Sequence, residues 1–460
     1  METIITEFTE KCTKMFCEAI TKIIESKGDI TDLTMKLKGS FDNLGIEMVK
    51  YALEMVDNEL CNDKMRKKSW SIDKSGQEKT LTTIFGDVKY KRTYFVSKFG
   101  KGYSHLADRV FGIDPHERCD LTIKTKMLEN VVDLSYEKSA NAFSTTLSKQ
   151  TVLNTIRKVD NNKLVFPNKE IKAKVKTIYV EADEDHVALQ DGRNVMPYLV
   201  YVHEGFIDCD SRRKELKNVR YFSGMYKKSE DLWIEVADYL EDNYDISYLE
   251  TVYLSGDGAS WIKQGKHWLP KVKPVLDKYH LNKYVIAATA HIPEMRSDIW
   301  KAINARDMNN LKAAIEEVLT CADSEQRVET VIKFRTYINS NWIGIKNAQD
   351  ELSIGCSAEG HISHILSDRL SSRPLGWCIE GVDDMARLRA FRANGGKIFD
   401  VLKEQKGKAK CSGIKKITTN IVKKIEKGAK VNYTGVTPTP LQTGKKTALY
   451  KALHQFCYAI

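Results

Sequence analysis

Two acidic residues stand where chemistry could be done. Asp183 closes an apolar run in YVEADEDHVALQ, and Asp257 closes another in YLSGDG. Carboxylates at strand ends project beyond a sheet, where a ligand can approach. Two of them a few ångströms apart raise each other's pKa unless a cation lies between. Hard ions such as Mg²⁺ or Mn²⁺ accept oxygen ligands and keep positions open for water and phosphate. Two such ions, roughly 3.5–4 Å apart, would clamp the attacking and leaving oxygens of a phosphoryl transfer. Taken singly, a strand-end acid more often caps a turn. Glu181, Asp183, Glu184 and Asp185 crowd one turn, and a one-residue shift reverses the face a side chain takes. Asp183 fits best because Val187 and Leu189 restart an apolar strand just after it; Asp185 is the next choice. A third carboxylate, Glu359 in CSAEGHISHILSDRL, opens a helix whose other face is Ile362, Ile365, Leu366 and Leu370. Arg369 and Arg373, further along, suit phosphates. Spacing alone does not select Glu359, which follows Asp257 by 102 residues.

The elements that must position these acids form an α/β pattern. Strands are expected over 176–183, 198–206 and 218–226, then a helix from Ser229 to Tyr244. A strand over 248–258 and a short one over 273–280 complete the set. In that order the first and fourth strands lie side by side, so Asp183 and Asp257 converge. Continuous apolar strands between helices imply a sheet covered on both faces. Residues 172–290 thus carry the strand-rich pattern, 291–350 turn wholly helical, and 351–402 read as helix and loop broken by Pro374 and Gly395-Gly396.

Upstream, residues 1–62 carry helical apolar spacing. Residues 63–120 hold two β-rich runs with Gly86-Asp87 as the expected tight turn. Lys64–Lys101 contains eleven Lys and Arg against three acids, which suits either a solvated hairpin or DNA contact. Residues 121–164 read as a helix-turn-helix: Ala140 and Phe143 on the first helix, Ser148 as cap, and Val152, Leu153 and Ile156 inward on the second. Its outer face would show Lys149, Gln150, Asn154, Arg157 and Lys158, types that reach base edges and phosphates. Plain helix pairs share this pattern.

Composition narrows the class. The 460 residues carry a net charge of +10, and 42% of them are hydrophobic, as in a globular chain. From Lys403 onward thirteen Lys face two Glu, so the tail at 403–460 holds +11 and the body −1. That tail suggests a polyanionic partner, a solvated tail being the plainer alternative. No apolar run approaches the roughly 20 residues of a membrane helix, and METIITEFTEKC has no secretory layout. The ten Cys are scattered, as expected of reduced thiols in cytoplasm or nucleoid. Neither a GxxxxGK[ST] loop nor a GxSxG elbow occurs. Cys356, His361 and His364 would need further ligands to hold zinc. Trp261, Trp300 and Trp342 could stack on an unpaired base, though buried Trp is more often core.

Residues 1–402 resemble the ISLre-type insertion-sequence transposases of the Mutator-like DDE group. The resemblance is carried by TIFGDVKYKRTYF, YVEADEDHVALQ, LSGDGASWIKQG, DKYHLNKYV and, most specifically, AEGHISHILSDRLSSRPLGW. It implies a ribonuclease-H-like catalytic core with an all-helical insertion before its last acid, preceded by a DNA-binding region. It further implies a metal-binding triad of Asp183, Asp257 and Glu359, and a helper, His280, in the element Asp277-Lys278-Tyr279-His280. The expected activity is Mg²⁺-dependent cleavage and strand transfer at the terminal inverted repeats of an insertion sequence, in a bacterial, nucleoid-associated protein. The partners would be double-stranded DNA and further copies of the chain, a dimer or more, because two ends are handled together. An inactive, transposase-derived regulator and a nuclease without strand joining are the alternatives.

Overall fold

A computed structural model describes residues 29–406 except 101, 167–169, 208–214 and 373–375, with a few positions between 14 and 25. Arg373 and the basic tail beyond 406 lie outside the described residues. The chain divides into two compact units. One takes residues up to Met127, Tyr136–Val152 and residues from Leu402; the other takes Leu128–Ser135 and Leu153–Val401.

In the first unit, the helix Ile30–Asn62 begins at a capping box between Asp29 and Asp32. It buries Leu53, Val56 and Leu60 against a hairpin of β1 (Trp70–Thr83) and β2 (Gly86–Ser97). Asp57 of this helix accepts hydrogen bonds from the Thr93 amide and hydroxyl, 3.0 and 2.7 Å, which sets the hairpin's register on the helix. The turn is two residues earlier than expected. Thr83 pairs with Gly86, so Ile84 and Phe85 form the tip while Gly86 and Asp87 open β2. The reason is that Gly86, at φ +124°, serves as the residue after the turn, and Asp87 is held in place by the Thr82 hydroxyl at 2.7 Å. A short strand β3 (Tyr103–Ser104) pairs with β2, and the helix Leu106–Val110 follows.

The helices Leu121–Val131, Tyr136–Asn141 and Lys149–Ile156 come next in the chain. Ser148 accepts from the Thr151 amide at 3.4 Å, as a cap should, and Ala140, Val152 and Ile156 are buried. The last helix ends at Ile156, so Arg157 and Lys158 occupy the turn beyond it.

The second unit is built on a five-stranded mixed sheet of β4 (Thr177–Glu184), β7 (Tyr198–His203), β8 (Arg220–Gly224), β9 (Thr251–Gly256) and β10 (Val272–Leu276). A two-residue pair, β5 (Val187–Ala188) and β6 (Asn194–Val195), stands apart from it. The strand order is β10-β9-β4-β7-β8. β9 runs parallel to both β4 and β10, while β7 is antiparallel to β4 and β8. The expected adjacency of the first and fourth strands is therefore present. Period-two alternation separates two faces. Ile178, Val180 and Ala182 join Leu232, Trp233, Val236 and Leu240 of the helix Ser229–Asn243, whereas Tyr179 joins Tyr253 and Val275 on the other side.

The stretch expected as a strand over 273–280 breaks at Asp277, whose carboxylate caps the helix Lys278–Ala288 by accepting from the Tyr279 amide. Three further helices, Met295–Asn304, Met308–Thr320 and Glu325–Asn347, share a core with it around Leu281, Ile299, Leu311 and Phe334. The last returns to the sheet: Asn347 donates to the Pro274 carbonyl at 2.8 Å. Downstream, Ala358–Ile362 is α-helical and passes through a π-helical turn, Ser363–Ser367, into Asp368–Leu370. The helix Ile379–Ala393 then covers the β8 edge, where Asp383 accepts from the Met225 amide at 2.7 Å.

Candidate active site

The β4–β9 register explains why two acids meet. Thr177 pairs with Thr251 and Glu181 with Ser255, so the same register carried two residues on brings Asp183, within β4, level with Asp257, just past the end of β9. Asp183 is the penultimate residue of β4 and not its end; its carboxylate accepts from the Glu184 amide at 2.9 Å. Burial pushes its pKa up to about 7. The Glu184 amide and His280 oppose that rise, while the charges of Asp257 and Glu184 add to it. Asp257 sits one residue beyond β9. Its carboxylate accepts from the Ala259 amide at 2.7 Å, and its carbonyl accepts from the Tyr337 hydroxyl at 2.7 Å. Gly258 follows at φ +90°, and a Cβ there would lie 2.5 Å from Asn341 Oδ1. Only glycine suits that corner, which accounts for the last letter of GDG.

His280 comes from the first turn of Lys278–Ala288, its Nδ1 2.7 Å from Asp277 Oδ2. That hydrogen bond raises its pKa against burial, and the charges of Asp277, Asp183 and Asp257 act in the same direction. Thus two acids and one imidazole form an electrostatic group. Glu184, on the opposite face of β4, accepts from Trp261 Nε1 at 2.5 Å; burial raises its pKa, helped by Asp257's charge. Trp261 is buried in this role and Trp342 packs beside the helical core, so neither is poised for stacking on a base.

Glu359 lies in the first turn of Ala358–Ile362 and is exposed. The pKa of the exposed Lys283 is raised first by its hydrogen bond to Tyr279 and then, more weakly, by the charges of Tyr279, Glu359 and Asp183. Among the described residues no three His, Cys, Asp or Glu side chains come close enough to hold a metal ion. The Asp183–Asp257 pair has the chemistry for a divalent cation: two oxygen donors whose charges act on each other, one of them driven toward protonation by burial and its neighbours' charge. Glu359 is not gathered with them in this conformation.

What anchors the Glu359 helix is a residue that sequence reasoning passed over. Glu181 is 2% exposed on β4 and accepts from the Tyr201 hydroxyl at 2.6 Å, from His203 Nε2 at 3.0 Å and from the Ser357 amide. Burial works against its charge, yet these hydrogen bonds outweigh it and hold the carboxyl below the ordinary range. Alternation on β4 places Glu181 on the Asp183 face, a signal present in the sequence but indistinguishable there from a metal ligand. Asp185 is buried too, accepting from the His186 amide and the Ser371 hydroxyl at 2.9 Å each.

The residues expected on DNA divide. Lys149, Gln150, Asn154, Arg157 and Lys158 are all exposed. Arg157 lies within electrostatic reach of Glu380 and Asp384. Arg369 is buried, with Nε donating to the Val131 carbonyl at 2.9 Å and its guanidinium 4.8 Å from the Trp377 ring centre. Its guanidinium thus serves the fold instead of an exposed phosphate. His361 binds the Tyr221 hydroxyl at 2.8 Å while His364 is exposed near Asp368, so these two do not converge with Cys356. No helix among the described residues is long and apolar enough to cross a membrane.

Residues 23–407 match the model of an uncharacterised protein family, UPF0236. A UPF0236 protein of Caldanaerobacter subterraneus subsp. tengcongensis is 42% identical over 460 residues, covering 98% of this chain and 97% of its own length. A second protein of that organism, 41% identical over 466 residues, spans 100% of this chain and 98% of its own, and its name joins eleven locus designations. A UPF0236 protein in the vanSb 3′ region of Streptococcus gallolyticus is 24% identical over 400 residues, 83% of this chain and 86% of its own.

Proposed function

The chain belongs to the UPF0236 family, and from that premise we propose that it is a DNA transposase of the DDE type with a ribonuclease-H-like core. The observation that carries this reading is the placement of Asp183 and Asp257 at the same end of two adjacent parallel strands, where their charges and that of His280 act on one another. The sheet order, an antiparallel β4-β7-β8 meander on one side and the parallel strands β9 and β10 on the other, supports it, as does the helical block entering before Glu359. One relative carries eleven locus designations in a single genome, as a self-copying element would.

In this reading Asp183 and Asp257 would hold divalent metal, with Glu359 as the third carboxylate of the set. Bound metal would supply charge neutralisation and a water of lowered pKa. His280, anchored by Asp277, orients the strand or the acids, and Glu181 keeps the Glu359 helix against β4. The exposed Lys149, Gln150, Asn154, Arg157 and Lys158 and the basic hairpin hold the terminal repeats of the element. The working form is a dimer or larger on bacterial nucleoid DNA.

Asp257→Ala, assayed with labelled duplex bearing the flanking inverted repeats in Mg²⁺, should keep its binding and lose strand cleavage by about two orders of magnitude or more. Undiminished cleavage would remove the acid pair from the mechanism. The outlying position of Glu359 favours a second reading, a DNA-binding regulator without cleavage. Wild-type protein that binds the repeats but neither cuts nor joins them in Mg²⁺ or Mn²⁺ would establish it.

A further inference from the structure

The hairpin unit contains a cluster of buried charge that does not balance. Cross-strand pairing sets Gln77 opposite Arg92 and Lys79 opposite Tyr90, which puts all four on one face of the hairpin. Asp108, from the helix Leu106–Val110, reaches this face. It pairs with Lys79 Nζ at 3.3 Å and with the Arg92 guanidinium, and it accepts from the Tyr90 hydroxyl at 2.7 Å. The three charged side chains are nearly enclosed, at 8%, 15% and 5% exposure for Lys79, Arg92 and Asp108. Two cations therefore share one carboxylate. Arg92 Nε is buried with no hydrogen-bond partner among the described residues.

Glu117 and Asp57 reach Lys79 and Arg92, respectively, through their charge, but Asp108 is the carboxylate in direct ion pairs with them among the described residues. His105 contacts Gln77 Oε1 at 2.7 Å and is kept neutral, its pKa held down to about 4 by burial first and then by Arg92's charge. The other carboxylate of the same hollow, Glu117, is paired with Lys124 and Lys406. Burial and the charge of Arg92 also disfavour the Lys79 ammonium, against the pull of Asp108. Gln77, Lys79, Arg92 and Asp108 line a cavity of about 760 Å³, with exposed Lys89, Arg109 and Arg118 also in its lining. Tyr94 and Tyr103, stacked at 5.5 Å between ring centres, give it an aromatic wall.

We propose that this cavity is a phosphate site in which Arg92 and Lys79 take a backbone phosphate of double-stranded DNA. A buried, unpaired guanidinium N–H beside an excess cation is satisfied by a multidentate oxyanion, and phosphate matches guanidinium geometry. The local excess of Lys and Arg draws a polyanion toward it. The choice of DNA as the source of the phosphate rests on the proposed function; the oxyanion chemistry does not.

The test uses the full chain, a fluorescein-labelled 30-base-pair duplex and anisotropy across a NaCl series. Arg92→Gln should weaken binding about tenfold and reduce the log–log salt slope by about one. Asp108→Asn, which removes the carboxylate competing for Arg92, should bind as tightly as wild type or tighter. Equal affinity and slope for wild type and Arg92→Gln, or equal losses in both variants, overturns the proposal. If circular dichroism finds Arg92→Gln unfolded, the exposed pair Lys89→Gln with Arg118→Gln replaces it, and an unchanged slope there overturns the site. In a second arm, inorganic phosphate is titrated into ¹⁵N-arginine-labelled protein, and the Arg92 Nε–H resonance should move saturably. A moving resonance with a wild type that binds no duplex overturns the DNA source and the DNA reading but leaves the oxyanion site. A duplex-binding wild type whose Arg92 resonance stays still overturns the site alone.

Discussion

Asp183 and Glu181 are both acids on the same face of β4, two residues apart, and the fold gives them opposite electrostatics. Asp183 has one backbone hydrogen bond and acidic company, so burial drives its pKa upward. Glu181 has three kinds of donor around it and stays ionised despite deeper burial. The number of donors decides, because each hydrogen bond to the charged form offsets part of the desolvation cost. The same principle yields a pH prediction at His105. Its folded pKa lies below the unfolded value near 6.5, so the folded state disfavours the proton. Stability from this group is present above about pH 6.5 and is lost as pH falls toward about 4. Since the ring is only half buried, about 1 kcal/mol is expected. Thermal melts of wild type and His105→Gln between pH 7 and 4 should show the wild type losing that much more; parallel curves would refute it.

At the scale of elements, the Glu359 helix depends on a hydrogen-bond anchor at its start and on packing of Ile362, Leu366 and Leu370 along its length. The π-helical turn at Ser363–Ser367 advances the register between Glu359 and the buried face, a device frequent at functional sites. Glu181→Ala would leave the Tyr201 hydroxyl, the His203 ring and the Ser357 amide without their acceptor. A loss of about 3–5 kcal/mol in urea unfolding is expected, with Glu181→Gln less severe. A change under 1 kcal/mol for the alanine variant would show that the anchor contributes little. The hairpin gives a different lesson. Gly-Asp is a common turn pair, yet the tip is Ile84-Phe85, because Asp87 accepts from Thr82 across the strand pair and from the distant Ser144 and Thr146 hydroxyls at 2.9 and 3.2 Å. Turn propensity yields to tertiary hydrogen bonds where the two disagree.

For the whole molecule, charge is distributed by segment. Residues 407–460 contain eleven Lys and one Glu, outside the residues assigned to chemistry or to base reading. A truncation at 406 should lower the salt slope of duplex binding by several units and leave the preference for inverted repeats over random DNA unchanged. Loss of that preference would move recognition into the tail.

The order of strands and helices, the adjacency of Asp183 with Asp257, the helical block and the exposed face of Lys149–Lys158 were all legible in the sequence. They depend on apolar periodicity and chain order, which are local properties. The turn at Ile84-Phe85, the burial of Arg369 against Val131, the anchoring of Glu181 and the charge imbalance under Arg92 were decided only by the tertiary structure. Each depends on which distant donor or acceptor reaches a given polar atom, and spacing along a chain does not encode that. Acid and base types were visible as candidates; their neighbours determined which are charged, which are buried and which remain open to a ligand.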